Sequence, residues 1–209
     1  MHIEPGMLAQ AKILFASVSA SGVLAAHATV LFKRPALILR TVLAAVFFSL
    51  FMQSFHLPVG PSELHFVGAM PIYLTLGFVP TLLGFGLGLM VQGLLFEPAD
   101  LLHLGVNTLS LAVPLMVLHH TVGKRIQTLS IANILKLDAL YYTGVTVMVG
   151  FWLMLGEVAT PLAAWATFAA SYLAIVAIEP LLTLATVRLL KRHADRPAMR
   201  LCFDLAGRT

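Results

Sequence analysis

Charge is scarce in this chain. Only 11% of its 209 residues are Asp, Glu, Lys or Arg and 59% are hydrophobic, whereas soluble domains carry roughly a quarter charged residues. With a mean hydropathy of +0.94, that balance excludes a soluble globular domain and leaves a polytopic membrane protein. Cysteine is almost absent too. Cys202 is the single one and lies in a polar tail, so an intrachain disulfide and a zinc-ribbon site are excluded, and any metal site must rest on nitrogen or oxygen ligands. No P-loop is present, so the chain has no ATPase motif of its own. It also lacks a His-Glu-x-x-His zinc motif and a Gly-x-Ser-x-Gly elbow, the signatures a membrane-embedded hydrolase would carry. The formal charge of +4 is no nucleic-acid signature, because the basic residues fall at the ends of apolar runs. A basic leader is missing as well: Glu4-Pro5-Gly6 stands where one would be, so Met1 is expected to start the mature chain.

What is there is a series of apolar segments, which implies an all-α polytopic membrane fold. They run roughly over 9–32, 37–55, 66–79, 80–96, 101–122, 139–155 and 161–190. Each is near the ~20 residues a bilayer crossing needs, except the third, which is short. With seven crossings and the N-terminus outside, Lys33, Arg34, Arg40, Lys124, Arg125, Lys136 and the basic tail lie inside. Glu4, Glu63, Glu97, Asp100 and Glu157 then lie outside, with Lys12 near the outer face. Merging 66–96 into one helix would put the Lys33 and Lys124 loops on opposite sides, so the positive-inside rule favours seven. Residues 1–190 are read as one helical membrane domain and 191–209 as a short basic cytoplasmic tail, helical and then frayed.

The first two residues carry the sharpest chemistry. The α-amine of Met1, the deprotonated backbone amide of His2 and the His2 imidazole Nδ1 can close two fused chelate rings on one ion. One equatorial position of a square-planar site stays open, a geometry suited to Ni(II) or Cu(II), with a related site for Co(II). Binding displaces protons, so affinity should rise with pH. The alternative is that His2 is an accident of a frayed terminus. The stated topology places this terminus and the polar stretch His56 to His65 on the same side, where His65 can supply a fourth nitrogen.

These residues resemble the CbiM/NikM group, the substrate-binding membrane subunits of energy-coupling-factor transporters for cobalt and nickel. The resemblance rests on Met1-His2-Ile3-Glu4-Pro5-Gly6, on Met52-Gln53-Ser54-Phe55-His56-Leu57-Pro58, and on the loop ending Glu63-Leu64-His65-Phe66-Val67-Gly68. Gln92-Gly93-Leu94-Leu95-Phe96 and Leu104-Gly105-Val106-Asn107 extend it, so its specific part covers residues 1 to about 120. Leu64 and Pro61 stand where the family commonly has Gly, and Ser110 where it has a second Asn. The resemblance implies metal ligands at Met1, His2 and His65. It implies a transported Ni(II) or Co(II) ion rather than a cofactor. It also implies a transmembrane coupling subunit, two ABC ATPase subunits and a possible small accessory membrane subunit as partners, in a bacterial or archaeal cell membrane. The general flavour leans to the cobalt branch. A solitary permease or sensor is the alternative.

Other polar groups have bland readings beside sharp ones. Gln92 and Asn107 lie in apolar helices and are read as anchoring the loop or supporting the ligands, or as simple helix–helix hydrogen bonds. His56 and His103 near the outer face, and His119 and His120 near the inner one, are more simply interfacial histidines than ligands. His27 is a packing residue. Glu179 before Pro180 is the most conspicuous deep charge, either proton-linked, partner-facing or hydrogen-bonded inside the bundle. Gly84 and Gly88 have the spacing that lets helices approach closely, within the chain or against a partner.

Overall fold

The computed structural model describes residues 7–59, 62–126 and 128–204. Its elements are α1 (Gln10–Lys33), α2 (Ala36–Ser54), β1 (His56–Val59), β2 (Ser62–His65), α3 (Ala69–Leu76) and α4 (Phe78–Leu95). A 3-10 turn (Pro98–His103) then leads into α5 (Leu104–Leu118), which ends in a π turn (His119–Gly123). The chain finishes with α6 (Ile131–Met154), α7 (Leu162–Lys191) and α8 (Pro197–Cys202). Six helical stretches are long and apolar enough to cross a membrane: α1, α2, α4, the continuous 98–123 stretch, α6 and α7. The chain is an all-α, multi-pass membrane protein.

The seventh expected segment has an unusual form. Helices α2 and α4 run side by side in the same direction, because Gln53 Nε2 donates to Gln92 Oε1 at 2.8 Å and Ser49 Oγ reaches Gly88 O at 3.4 Å. The chain must therefore return through the bundle between them. Phe66 N–H donates to Phe55 O at 3.1 Å, level with the end of α2. From there the non-helical residues 66–68 and the eight-residue α3 make the return, at most roughly 22 Å at 3.3 Å per extended and 1.5 Å per helical residue. Every residue of α3 is buried. A helix this short can sit at membrane depth only where protein surrounds it.

Glycine sets the close approaches. A Cβ on Gly84 would run into Ala44, and one on Gly88 into Phe48. The small-residue stripe of α4 thus packs against α2 within the chain. A Cβ on Gly105 would lie 2.5 Å from Ser17 Cα and 2.6 Å from Ser17 N, so α5 touches the backbone of α1 there.

Two boundaries differ from the expectation. Helix α6 begins at Ile131, capped by Ser130 Oγ accepting from Asn133 N–H at 3.2 Å, eight residues before the apolar run becomes continuous. Lys136 and Asp138 therefore belong to the helix. The polar stretch after α2 is an antiparallel hairpin, with His56 opposite His65 and Pro58 opposite Glu63.

Charge separates along the bundle. His27 and His119 both meet Phe78 at the start of α4, which puts the Lys33, Arg40 and Lys124 regions at one end. At the other end Lys12 pairs with Glu157 at 2.7 Å.

Candidate metal-capture site

The hairpin sits over the end of the bundle opposite the basic residues and carries three polar side chains on one assembly. Glu63 bridges two imidazoles: its Oε1 lies 3.1 Å from His56 Nδ1 and its Oε2 3.4 Å from His65 Nε2. The two rings are stacked with centroids 6.0 Å apart. Strand pairing produces this, since His56 and His65 are cross-strand partners and Glu63 lies two residues from His65 on the same side of the pleat. His65 is only 5% exposed, at the foot of the hairpin.

Beside the hairpin lies a cavity of about 300 Å³, lined by His56, Glu63 and His65 together with Gln53, Gln92, Glu97 and Asp100. Three carboxylates around one recess produce a local field that concentrates cations. Gln92 is 3% exposed. Besides accepting from Gln53, its Nε2 donates to Ser49 O at 2.8 Å, so it ties α4 to α2 while lining the cavity. Among the described residues no group of three or more His, Cys, Asp or Glu is placed to hold a metal ion, so His65 supplies at most part of a ligand set. Met1 and His2, the other expected ligands, lie outside the described residues. The chain approaches them from the same end: Met7 O accepts from Glu157 N–H at 2.9 Å, and Leu8 is buried.

Beneath the hairpin, α3 begins at a left-handed Gly68 (φ 61°) and ends at Gly77 (φ 91°). Its first turn is capped from α7: Glu179 Oε1 accepts from Met70 N–H at 2.8 Å, and the Tyr142 hydroxyl donates to Glu179 Oε2. A carboxylate at a helix N-terminus is favourable both as an acceptor and against the helix dipole. Asp138 of α6, fully buried, lies against the Glu179 carboxyl group. Glu179 stands out in the sequence as the most conspicuous deep charge; Asp138 does not, and its signal is the Ser130-x-x-Asn133 cap that extends α6 across it.

The remaining candidates disperse. Asn107 is buried on α5, one turn beyond the buried His103. His119 Nδ1 is 2.8 Å from the Tyr73 hydroxyl and its ring stacks on Phe78 at 4.0 Å. His120 Nδ1 is 3.2 Å from Lys124 Nζ, and His27 Nδ1 contacts Val23 O at 2.8 Å.

Residues 2–197 match the family model described as the cobalt uptake substrate-specific transmembrane region. A solved structure described as a transition metal transporter superposes with a TM-score of 0.72 at 21% identity, covering 95% of this chain and 96% of that one. A second, described as a truncated transition metal transporter, gives 0.70 at 22% identity, covering 92% and 99%. No match was found among curated protein sequences.

Proposed function

Because the chain belongs to the cobalt-uptake substrate-specific transmembrane family and is a membrane protein of metal uptake, we propose that it is the binding subunit of a Ni(II) or Co(II) importer. In this reading Met1 and His2 provide the terminal amine, the amide and one imidazole, and His65 provides the fourth nitrogen. The observation that carries it is His65 at the foot of the hairpin, beside a carboxylate-rimmed cavity. Six residues separate Met7 from the start of the chain and reach at most about 20 Å when extended. The acidic end faces outward and the basic end faces the cytoplasm, as the positive-inside rule favours.

Glu63 has a defined part. By bridging His56 and His65 it fixes the orientation of the His65 ring, the way a partner carboxylate orients a metal-binding imidazole. Gln53 and Gln92 hold the cavity wall. Energy for import comes from partner subunits, a coupling protein and two ATPases, because this chain lacks a P-loop.

The test is metal uptake in cells devoid of other nickel and cobalt importers, expressing this chain with or without the coupling and ATPase subunits. Uptake that requires all subunits is expected. Full uptake by this chain alone would replace the reading with a solitary permease.

A further inference from the structure

The opposite end of α3 is held as firmly as its start, and by the last residues described. Asp204 N–H donates to Thr75 O at 2.6 Å, capping the C-terminal turn of α3. A Cβ on Gly77 would lie 3.3 Å from Asp204 Oδ2, so the carboxylate sits against the glycine that ends α3. Arg40 of α2 fixes this tail in place. Its Nη2 donates to Arg200 O and Phe203 O, both at 2.9 Å, its Nε donates to Leu201 O at 3.1 Å, and Nη1 lies 3.6 Å from Asp204 Oδ1. Those carbonyls are the acceptors a helix end leaves unpaired, so a guanidinium is the natural cap for α8. Phe203 lines a crevice of about 110 Å³ with Phe47, Pro71, Thr75 and Leu190, closing the opening between α2, α3 and α7.

The mechanical arrangement is specific. The short link of residues 66–68 joins His65 to α3, and α3 is bounded by two glycines of positive φ. It is therefore a separate buried body that connects the hairpin to the basic end. One cap comes from Glu179 in α7 and the other from the tail. Releasing the tail removes the C-terminal cap, the ring of Phe203 and the brace on Gly77 together, and leaves α3 free to shift toward that end.

We propose that Arg40 and the tail residues 197–204 form a gate on the basic side of the bundle, and that Arg40 is the positioning residue which keeps α3 closed beneath the metal-capture hairpin. The identity of the ion using this route rests on the metal-import reading above; the clasp itself does not.

Cys202 is the sole cysteine and is half-buried in the docked tail, so its alkylation rate by a maleimide reports docking in the full chain in nanodiscs. Losing several charge-assisted hydrogen bonds should raise that rate about tenfold in Arg40→Ala. Phe203→Ala, which changes no residue of the bundle helices themselves, should raise it similarly, and Arg40→Lys should recover part of the protection. Protein loaded with Ni(II) or Co(II) should then lose metal to a chelator about tenfold faster in both alanine variants. Unchanged labelling would overturn the clasp. Faster labelling with unchanged metal release would overturn the gate. A wild-type chain that binds neither metal would sink the import reading, while labelling would still decide the clasp.

Discussion

Replacing His65 by alanine is expected to lower Ni(II) or Co(II) affinity about a hundredfold or more, since loss of a mere supporting partner already costs a metal site 10–100-fold. The bundle should stay folded. His65 belongs to the hairpin above the helices, where its side chain lies 3.4 Å from Glu63. Equilibrium titration with each metal, alongside thermal unfolding of the apo protein, separates the two effects. Affinity equal to wild type would mean that the ion binds away from the hairpin.

Glu179→Ala should have the largest effect on stability. The change strands two buried donors, the Met70 N–H and the Tyr142 hydroxyl, each of which costs about 1–3 kcal/mol when left unpaired. It also removes the side-chain acceptor that caps the N-terminus of α3. A loss of about 2–6 kcal/mol follows, read by detergent or thermal unfolding. Glu179→Gln keeps an acceptor for Met70 and can offer its amide to Asp138, so it should lie much closer to wild type. Alanine and glutamine variants of equal stability would show that the cap on α3 contributes little.

Much of this fold is legible from hydropathy alone. The spans, the shortness of the third segment and the separation of basic from acidic ends follow from composition and charge, because lipid demands long apolar helices wherever protein does not surround the backbone. The hairpin was not legible. Its strands are four residues long with Pro58 inside one of them, and such strands give no usable alternation. Asp138 was hidden by its position in the polar opening of α6, where a charge reads as loop. The packing direction of Gly84 and Gly88 was ambiguous until Ala44 and Phe48 were seen against them. The Arg40 clasp joins residues about 160 positions apart, and no local pattern announces a pairing of that range. The place of His65 was legible for the opposite reason: it ends a short polar stretch bounded by two apolar runs.

The proposed chelate forms at the very start of the chain. A terminal amine, the following amide and the His2 imidazole act together only if Met1 is the first residue. The most direct test therefore compares the native-start protein with one carrying a single extra residue before Met1, by metal content and absorption spectrum after exposure to Ni(II) and Co(II). The chelate should give one bound equivalent with a square-planar Ni(II) spectrum in the native-start protein, and loss of both in the extended one although it remains folded. Equal metal content and an unchanged spectrum in the extended protein would contradict it.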